Sequence, residues 1–228
     1  MQNRFYWDDA RIRFYRDAAE QSSYHQTLAE RIKDALPQDG RVLDAGCGLG
    51  YLSTAMLPLC RSVTAVDCDP NVIAALAERT KGTRNLTVRC ADVRWIDEPF
   101  DTVVCCYFGS IEESLRIFER TGANKLILIK RRTSKRRFSD GQAHERTADN
   151  AAKTLCATGF FFRTLDVSIP FDQPLRSLDD AARFFACYRS DRTQPDRKAV
   201  EARLLRTDDP VFPFRLAVQN EMRIFFVD

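Results

Sequence analysis

Short apolar runs alternate with segments of helical periodicity from about residue 40 onward. The runs are nearly continuous in apolar residues, which is typical of strands covered on both faces of a parallel sheet. The segments between them place apolar residues at helical spacing, as Leu52, Ala55 and Met56 do. This alternation predicts βαβ units and an α/β fold. The predicted strands are 41–45, 62–67, 86–91, 101–107, 125–130, 160–168 and a last strand within 216–228.

Two regions fall outside this alternation. Residues 8–36 predict one or two helices, and residues 170–213 place several prolines around two helical patterns, at 177–189 and 195–206. No internal repeat or low-complexity linker separates these regions from the rest, so we predict one domain over 1–228. Its predicted parts are an N-terminal helical cap (1–39), a core (40–169), a helical insertion (170–213) and the final strand (214–228).

Composition narrows the class of protein. The chain has 228 residues, 44% of them hydrophobic, so it can bury a substantial core without a disulfide or a metal. The net charge of +3 conceals one basic run, KRRTSKRR at 130–137, and the rest is mildly acidic. The cysteines form no C-x-x-C pair and His25 and His144 are far apart, so we predict no metal site. Because neither a secretory signal nor a membrane-length apolar run is visible, we expect a cytoplasmic protein.

The most informative segment is VLDAGCGLG, residues 42–50. An apolar strand leads to Asp44, and Gly46, Gly48 and Gly50 alternate before the next helix. Glycine suits a loop that turns at positive φ or that a ligand approaches closely. The spacing differs from the G-x-G-x-x-G of dinucleotide-binding loops, and the acid would repel a pyrophosphate. The loop therefore indicates a ligand with a cationic or hydroxyl-rich part and disfavours an NAD-dependent enzyme.

Acidic residues also follow the neighbouring strands. Asp67 ends the second strand, where a carboxylate can accept hydrogen bonds from both hydroxyls of a ribose. Asp92 follows the third strand and suits an exocyclic amine, while Phe100 and Asp101 open the fourth strand, which leads into CCYFGS. In an open α/β sheet the carboxyl ends of the strands converge on one crevice. We therefore expect these loops to meet over a single ligand.

In order and spacing, residues 40–132 resemble a class I S-adenosylmethionine-dependent methyltransferase. The segments VLDAGCGLG, VTAVDCDP, LTVRCADV and FDTVVCCYFGS resemble the first four motifs of that family. The resemblance implies a Rossmann-like, doubly wound, mostly parallel seven-stranded sheet with helices on both faces, an N-terminal helical cap and an insertion before the last strand. It also implies S-adenosyl-L-methionine as the cofactor and S-adenosyl-L-homocysteine as its product.

The same resemblance assigns roles to residues of this chain. The first motif would line the methionine and ribose, and Asp67 would hold the ribose hydroxyls. Asp92 and the backbone of Val93 would hold the adenine, and Cys106 and Tyr107 would lie beside the sulfonium. The full predicted cofactor-binding set is Asp44, Gly46, Cys47, Gly48, Gly50, Asp67, Cys68, Asp92, Val93, Cys106 and Tyr107.

The sequence defines the methyl acceptor less well. The fourth motif lacks the [DN]-P-P-[FYW] pattern of base-amine methyltransferases, no Pro-Cys pair of the cytosine-C5 type occurs, and no acidic cluster suggests the magnesium site of catechol-type enzymes. We predict methyl transfer to a small-molecule acceptor, with an anionic acceptor as one option. RNA or protein bound through the basic run 130–137 is the alternative, as is a non-catalytic cofactor-binding module.

The basic run begins at the carboxyl end of the fifth predicted strand, on the side of the sheet where the motifs converge. This position predicts that Lys130 and Arg132 bind the acceptor, because both can pair with a phosphate or carboxylate. Strand alternation turns Arg131 to the opposite face from these two residues. All three therefore cannot share one small pocket.

No catalytic residue is identified, and Tyr24 and Tyr107 are the candidates. Tyr24 and His25 lie on the N-terminal helical segment, where either could orient an acceptor or take its proton. A buried structural tyrosine and an exposed histidine are the favoured reading of that pair. A thiol site for a soft ligand such as arsenite stays open beside the simpler role of cysteine as a small apolar residue. The cysteines concerned are Cys47, Cys68, Cys90, Cys105 and Cys106.

Overall fold

The computed structural model describes residues 7–132, 147–189, 193 and 195–228. The chain divides into two compact units. The described residues of the larger unit are 25–132, 147–168 and 221–228, and those of the smaller unit are 7–24, 169–189, 193 and 195–220. The single domain over 1–228 stays a prediction. Residues 133–137 of the basic run lie outside the described residues.

Up to residue 170 the helices and strands follow one another in the predicted alternation, whereas the predicted helical insertion 170–213 also contains two short strands. The strands are β1 (Arg41–Ala45), β2 (Ser62–Asp67), β3 (Leu86–Cys90), β4 (Thr102–Cys106), β5 (Lys125–Arg131), β6 (Phe162–Pro170), β7 (Gln173–Leu175), β8 (Leu205–Arg206), β9 (Phe214–Leu216) and β10 (Gln219–Val227). The helices are α1 (Asp9–Glu20), α2 (Tyr24–Ile32), α3 (Tyr51–Met56), α4 (Pro70–Arg79), α5 (Ile111–Thr121), α6 (Ala148–Thr158), α7 (Leu178–Tyr188) and α8 (Arg197–Glu201). Among the described residues, no helix has the length and apolar character needed to cross a membrane.

A seven-stranded sheet, counted over the described residues, has the strand order β3-β2-β1-β4-β5-β10-β6. Strands β1 to β5 pair in parallel, and β10 pairs antiparallel with β5. The order reverses beside β1, which lies between β2 and β4. This reversal is the topological switch point at which open α/β sheets bind ligands. The predicted Rossmann-like, mostly parallel seven-stranded sheet is confirmed.

The pleat of β5 separates its side chains onto two faces. Leu126 and Leu128 are fully buried in one core cluster with Leu115 of α5 and Leu155 of α6. The helices that cover this face begin and end where the sequence signals them. Ser110 caps α5 by accepting a hydrogen bond from the backbone N–H of Glu113, and the left-handed Gly159 ends α6.

The smaller unit has an apolar core of its own. Its core side chains come from α1, α7, α8 and the strands β7 and β9 of the antiparallel sheet β7-β9-β8. Phe14 is fully buried and meets Phe184 edge to face, with ring centroids 5.2 Å apart. Beside this core, the buried Asp17 accepts hydrogen bonds from the guanidinium of Arg176 at 2.5 and 2.9 Å. The positive charge of Arg176 compensates the negative charge of the buried Asp17 carboxylate.

The helix predicted over 195–206 is too long. Helix α8 ends at Glu201, and Leu205–Arg206 pairs antiparallel with β9 as the short strand β8. The apolar residues of this stretch fit either state at this length. The pairing with residues further along the chain decided between them.

We expect Phe14→Ala to lower the free energy of unfolding of the smaller unit by about 3–5 kcal/mol, because truncating a buried ring leaves a cavity. In a Trp95→Phe background, Trp7 of the smaller unit is the remaining tryptophan, so its fluorescence during urea unfolding reports on that unit. The matched control is Val211→Ala in the same unit, since Val211 is 57% exposed and its truncation costs less than about 0.5 kcal/mol. Equal losses for the two variants would contradict a packed core around Phe14.

Candidate cofactor site

The carboxyl ends of β2, β1 and β4 lie side by side, because these strands are neighbours in the sheet. Asp44 of β1 stands in register with Ala65 of β2 and with Val104 of β4. Asp67 ends β2 and Cys106 ends β4, so residues distant in sequence meet at one edge. The expected convergence of these loops is present in the fold.

The glycine loop after β1 has a backbone that favours glycine. Gly46, Gly48 and Gly50 have φ values of +72°, +53° and +66°, in the left-handed region. A Cβ on Gly46 would lie 2.1 Å from the ring of Phe108, so a larger residue would both strain the backbone and collide with that ring. The N–H of Gly46 also donates to the carbonyl oxygen of Val66 at 2.9 Å. The loop is thereby held against the end of β2.

Asp44 is buried beneath this loop and is 2% exposed. The hydroxyl of Ser53 donates a hydrogen bond to its carboxylate at 2.5 Å. Burial raises the pKa of Asp44 to about 6, against the opposing effect of Ser53, and the charge of Asp67 raises it further. A cationic ligand placed at this edge would favour the ionised carboxylate.

Asp67 connects the glycine loop to the start of the next helix. Its Oδ2 accepts a hydrogen bond from the N–H of Gly48 at 2.9 Å, and its Oδ1 accepts one from the N–H of Asp69 at 3.0 Å. A carboxylate oxygen has two lone pairs, so each oxygen can also accept from a hydroxyl. This geometry suits the predicted ribose contact.

Arg79 supports the glycine loop from α4. Its guanidinium donates to the carbonyl oxygen of Leu49 at 2.8 Å and lies 4.0 Å from the centroid of the Tyr51 ring. The ring of His25 stacks on Tyr51, with centroids 5.4 Å apart. His25 is 4% exposed, so the expectation of an exposed histidine is wrong. Burial, together with the charge of Arg79, lowers the pKa of His25 to about 3, which keeps its imidazole neutral.

Asp92 is engaged by a residue close to it in sequence. The Nε of Arg94 donates to its two carboxylate oxygens at 3.0 and 3.1 Å, and the N–H of Arg94 also donates to Oδ1. Val93 is buried in the core of the larger unit. Binding an exocyclic amine at Asp92 requires the guanidinium of Arg94 to share or release that carboxylate. The adenine contact stays a prediction with this condition attached.

Tyr107 has a left-handed backbone, with φ of +54°. Its N–H donates to the carbonyl oxygen of Ile129 at 3.0 Å, and its hydroxyl lies 3.7 Å from the sulfur of Met222. The other tyrosine candidate, Tyr24, is buried in the smaller unit, where its ring packs 4.6 Å from that of Phe171. The buried tyrosine favoured from the sequence is therefore present at position 24. Catalytic roles for Tyr24 and Tyr107 stay predictions.

The two basic residues predicted to bind the acceptor have other contacts. Lys130 is 2% exposed, and its ammonium donates to the carbonyl oxygens of Phe108 and Gly109 at 2.6 and 3.3 Å. The guanidinium of Arg132 lies 3.5 Å from the carboxylate of Asp166. The acceptor role of both residues stays a prediction, with the condition that Lys130 leaves its place under the loop after β4 and that Arg132 shares or releases Asp166.

The five cysteines near the strand ends differ in exposure. Cys105 is buried, Cys47 and Cys106 are half-buried, and Cys68 and Cys90 are exposed. Burial raises the pKa of Cys105 to about 11 and that of Cys47 and Cys106 further, so these thiols stay neutral near pH 7. Neutral thiols are poor ligands for soft ions. In the described ranges, no three His, Cys, Asp or Glu side chains are grouped to hold a metal.

Sequence reasoning missed the side chains that hold the predicted site residues in place. These are Ser53 at Asp44, Arg79 at the glycine loop and Arg94 at Asp92. A signal existed for Ser53, because a serine lies on the buried face of α3 beside Leu52. No motif marks the two arginines, whose roles depend on where their long side chains end.

Residues 42–121 match the family described as "Methyltransferase domain". Solved structures share the fold over most of the chain, and two of them illustrate the similarity. The YcgJ protein of Bacillus subtilis has a TM-score of 0.58 at 14% identity, covering 91% of this chain and 99% of that protein. A putative methyltransferase of Bacillus halodurans has a TM-score of 0.54 at 14% identity, covering 89% of this chain and 97% of that protein.

A curated relative matches a shorter stretch. The dimethyladenosine transferase of Schizosaccharomyces pombe is 33% identical over 94 residues, which cover 39% of this chain. The matched stretch spans 31% of that relative's length.

Residues 42–121 therefore match a methyltransferase domain, and this match and the fold support the predicted class I type, which uses S-adenosylmethionine. The residues present fit this cofactor. Two acids, Asp44 and Asp67, lie at the switch point, which suits a ligand with cationic and hydroxyl groups better than a pyrophosphate. The roles of the individual cofactor-binding residues stay predictions.

Asp44→Asn tests the buried carboxylate in two opposite ways. Because burial raises the folded-state pKa of Asp44 above its unfolded value, ionised Asp44 costs stability above pH 6, and that cost is relieved as pH falls from 6 to 4. We therefore expect the free energy of unfolding of the variant to be about 1–3 kcal/mol higher than that of wild type at pH 8. Thermal and urea unfolding without cofactor measure this difference.

For cofactor binding, we expect the same substitution to be unfavourable. The affinity of wild type for S-adenosylmethionine should weaken by up to about tenfold per pH unit below pH 6, because a cation favours ionised Asp44. Asp44→Asn should bind more weakly at pH 8 and lose this pH dependence in calorimetric titrations. A variant that binds as tightly as wild type at pH 8 would contradict a role for the Asp44 charge.

Proposed function

We propose that this protein transfers a methyl group from S-adenosylmethionine to a small-molecule acceptor. The observation that carries the proposal is the glycine loop of positive φ above the buried Asp44, with Asp67 bonded to the same loop. When bound, the cofactor supplies an electrophilic methyl group: the acceptor nucleophile bonds to the methyl carbon, the carbon–sulfur bond breaks, and its electron pair stays on the sulfur of S-adenosylhomocysteine.

The chain's own contribution is to bind and align. Asp67 would accept hydrogen bonds from the ribose hydroxyls, and Asp44 would stabilise the cationic part of the cofactor through its charge. The end of β4 and the loop after it, from Cys106 to Gly109, would border the transferred methyl group. Lys130 donates to two carbonyl oxygens of that loop and so limits its movement. Holding the two reactants at a fixed distance lowers the entropic cost of the reaction.

A small acceptor is the proposal that the fourth motif supports. The segment CCYFGS lacks the Asn/Asp-Pro-Pro pattern associated with base amines. The loop it forms turns at Tyr107 and Gly109, both of positive φ. An acceptor that carries an acidic N–H or O–H would also lose a proton in the reaction.

RNA is a second candidate acceptor, because the curated relative is a dimethyladenosine transferase. The basic run beyond the enclosed Lys130, residues 131–137, would then bind the phosphate backbone. This reading predicts RNA binding whose affinity falls steeply with salt and is lost when Lys135, Arg136 and Arg137 are neutralised together. The label from a methyl-labelled donor would appear in ribonuclease-sensitive material.

Asp67→Ala should weaken binding of S-adenosylhomocysteine by about 1–3 kcal/mol, the cost of leaving buried hydroxyl groups without acceptors. Calorimetry measures this binding, and S-adenosylhomocysteine avoids turnover during the titration. The matched control is Asp97→Ala, an exposed aspartate in the connection between β3 and β4, which should bind as wild type does. Equal affinity in Asp67→Ala, or binding of NAD in place of the nucleoside ligand, would overturn the assignment.

A labelled methyl donor incubated with a fractionated metabolite extract tests the transfer itself. Label in a small, ribonuclease-resistant product supports the proposal, and label in RNA supports the second acceptor. Wild-type protein that binds S-adenosylhomocysteine but labels no fraction would favour a cofactor-binding module.

A further inference from the structure

Strand register places the predicted cofactor site and one arginine on the same face of the sheet. Asp44 pairs with Val104, and alternation along β4 gives Cys106 the same face as Val104. Cys106 pairs with Ile129, and alternation along β5 gives Arg131 the same face as Ile129. Asp44, Cys106 and Arg131 therefore lie on one face, along three neighbouring strands.

The electrostatics of Cys106 agree with this placement. Burial raises the pKa of the Cys106 thiol, the Asp44 carboxylate raises it further, and the charges of Lys130 and Arg131 oppose that rise. The thiol thus lies within electrostatic range of Asp44 and of Arg131. The switch-point face has an acidic side at β1 and a basic side at β5.

Tyr107 also lies on this basic side. Continued alternation after Cys106 would turn Tyr107 to the other face, but its left-handed backbone reverses that direction. Its hydroxyl lies 3.7 Å from the sulfur of Met222, which pairs with Arg131 across the sheet. The guanidinium of Arg131 stands 5.4 Å from the centroid of the Tyr107 ring. The flat ring sets the orientation of the guanidinium while leaving its N–H donors at the edge.

Arg131 differs from the basic residues on either side of it. The Lys130 ammonium is bonded to carbonyl oxygens on the other face, and Arg132 lies beside Asp166, which also pairs with Arg223. Arg131 is exposed, and no carboxylate of the described residues lies within ion-pair distance of it. It combines a fixed position beside the loop after β4 with donors available to a ligand.

We propose that Arg131 binds a carboxylate or phosphate group of the methyl acceptor, with the ring of Tyr107 holding its guanidinium in place. This inference rests on the proposed function, and it specifies the acceptor as a small anionic molecule. The planar guanidinium pairs with either anion through two parallel hydrogen bonds. Asp44 and Asp67 on the acidic side of the same face would repel an anionic acceptor. The cofactor would therefore bind on the acidic side and the acceptor on the basic side.

Arg131→Gln is the test, and Arg163→Gln is its matched control. Arg163 also lies over an aromatic ring, that of Phe226 at 3.8 Å. Phe226 pairs with Ile127 near the start of β5, so Arg163 is remote from the carboxyl edge. Both variants should bind S-adenosylhomocysteine within about twofold of wild type, which separates this inference from the proposed function. Wild type that fails to bind S-adenosylhomocysteine overturns the proposed function itself.

Inorganic phosphate and acetate are the probes, titrated with saturating S-adenosylhomocysteine present and followed by NMR. We expect at least one anion to bind wild type and Arg163→Gln alike and to bind Arg131→Gln about tenfold or more weakly. Comparing the two anions distinguishes a phosphate from a carboxylate acceptor. Equal binding to all three proteins, or no anion binding to wild type, overturns the proposal.

The labelled-donor experiment extends the test to transfer. Product from the anion-exchange-retained fraction of the extract should form with wild type and Arg163→Gln, and the KM for that fraction should rise about tenfold or more in Arg131→Gln. Transfer confined to the unretained fraction, or to ribonuclease-sensitive material, contradicts a small anionic acceptor.

Discussion

The burial of Asp44 is the constraint on which the site depends. An acid enclosed at the end of the central strand costs stability, and the hydroxyl of Ser53 offsets that cost only in part. Residues selected for stability alone would not place a second acid, Asp67, close enough to raise the pKa of Asp44 further. The arrangement becomes favourable when a cation occupies the crevice. Under the proposed function, Asp44 is a residue at which stability is exchanged for binding.

The pleat of the sheet then determines which side chains lie on the same face as Asp44. The strand register places Asp44, Cys106 and Arg131 on one face of the sheet. Lys130 lies on the opposite face, under the loop after β4. Neighbouring basic residues with similar side chains consequently have different environments. One supports the backbone of the loop after β4, and the other presents its guanidinium to solvent. The direction of the side chain thus determines which groups Lys130 and Arg131 can each contact.

Backbone conformation adds a second level of control. Tyr107 departs from strand alternation because its φ is positive, and its ring therefore reaches Arg131 and Met222. The glycine loop shows the same principle, since Gly46 has positive φ and contacts the ring of Phe108 too closely for any side chain. The loops after β1 and β4 are accordingly complementary at this contact. Their shape follows from a few left-handed residues placed between regular elements.

The sequence by itself determined the α/β fold, the order of strands and helices from β1 to β6, and the glycine loop with its two acids. These features are local, because periodicity, caps and glycine spacing act within a few residues. Only the tertiary structure decided that His25 is buried, that residues 205–206 form a strand, and that Lys130 and Arg132 already have partners. Each of these depends on a residue distant in sequence. Strand register and side-chain reach set such contacts, and neither leaves a local pattern in the chain.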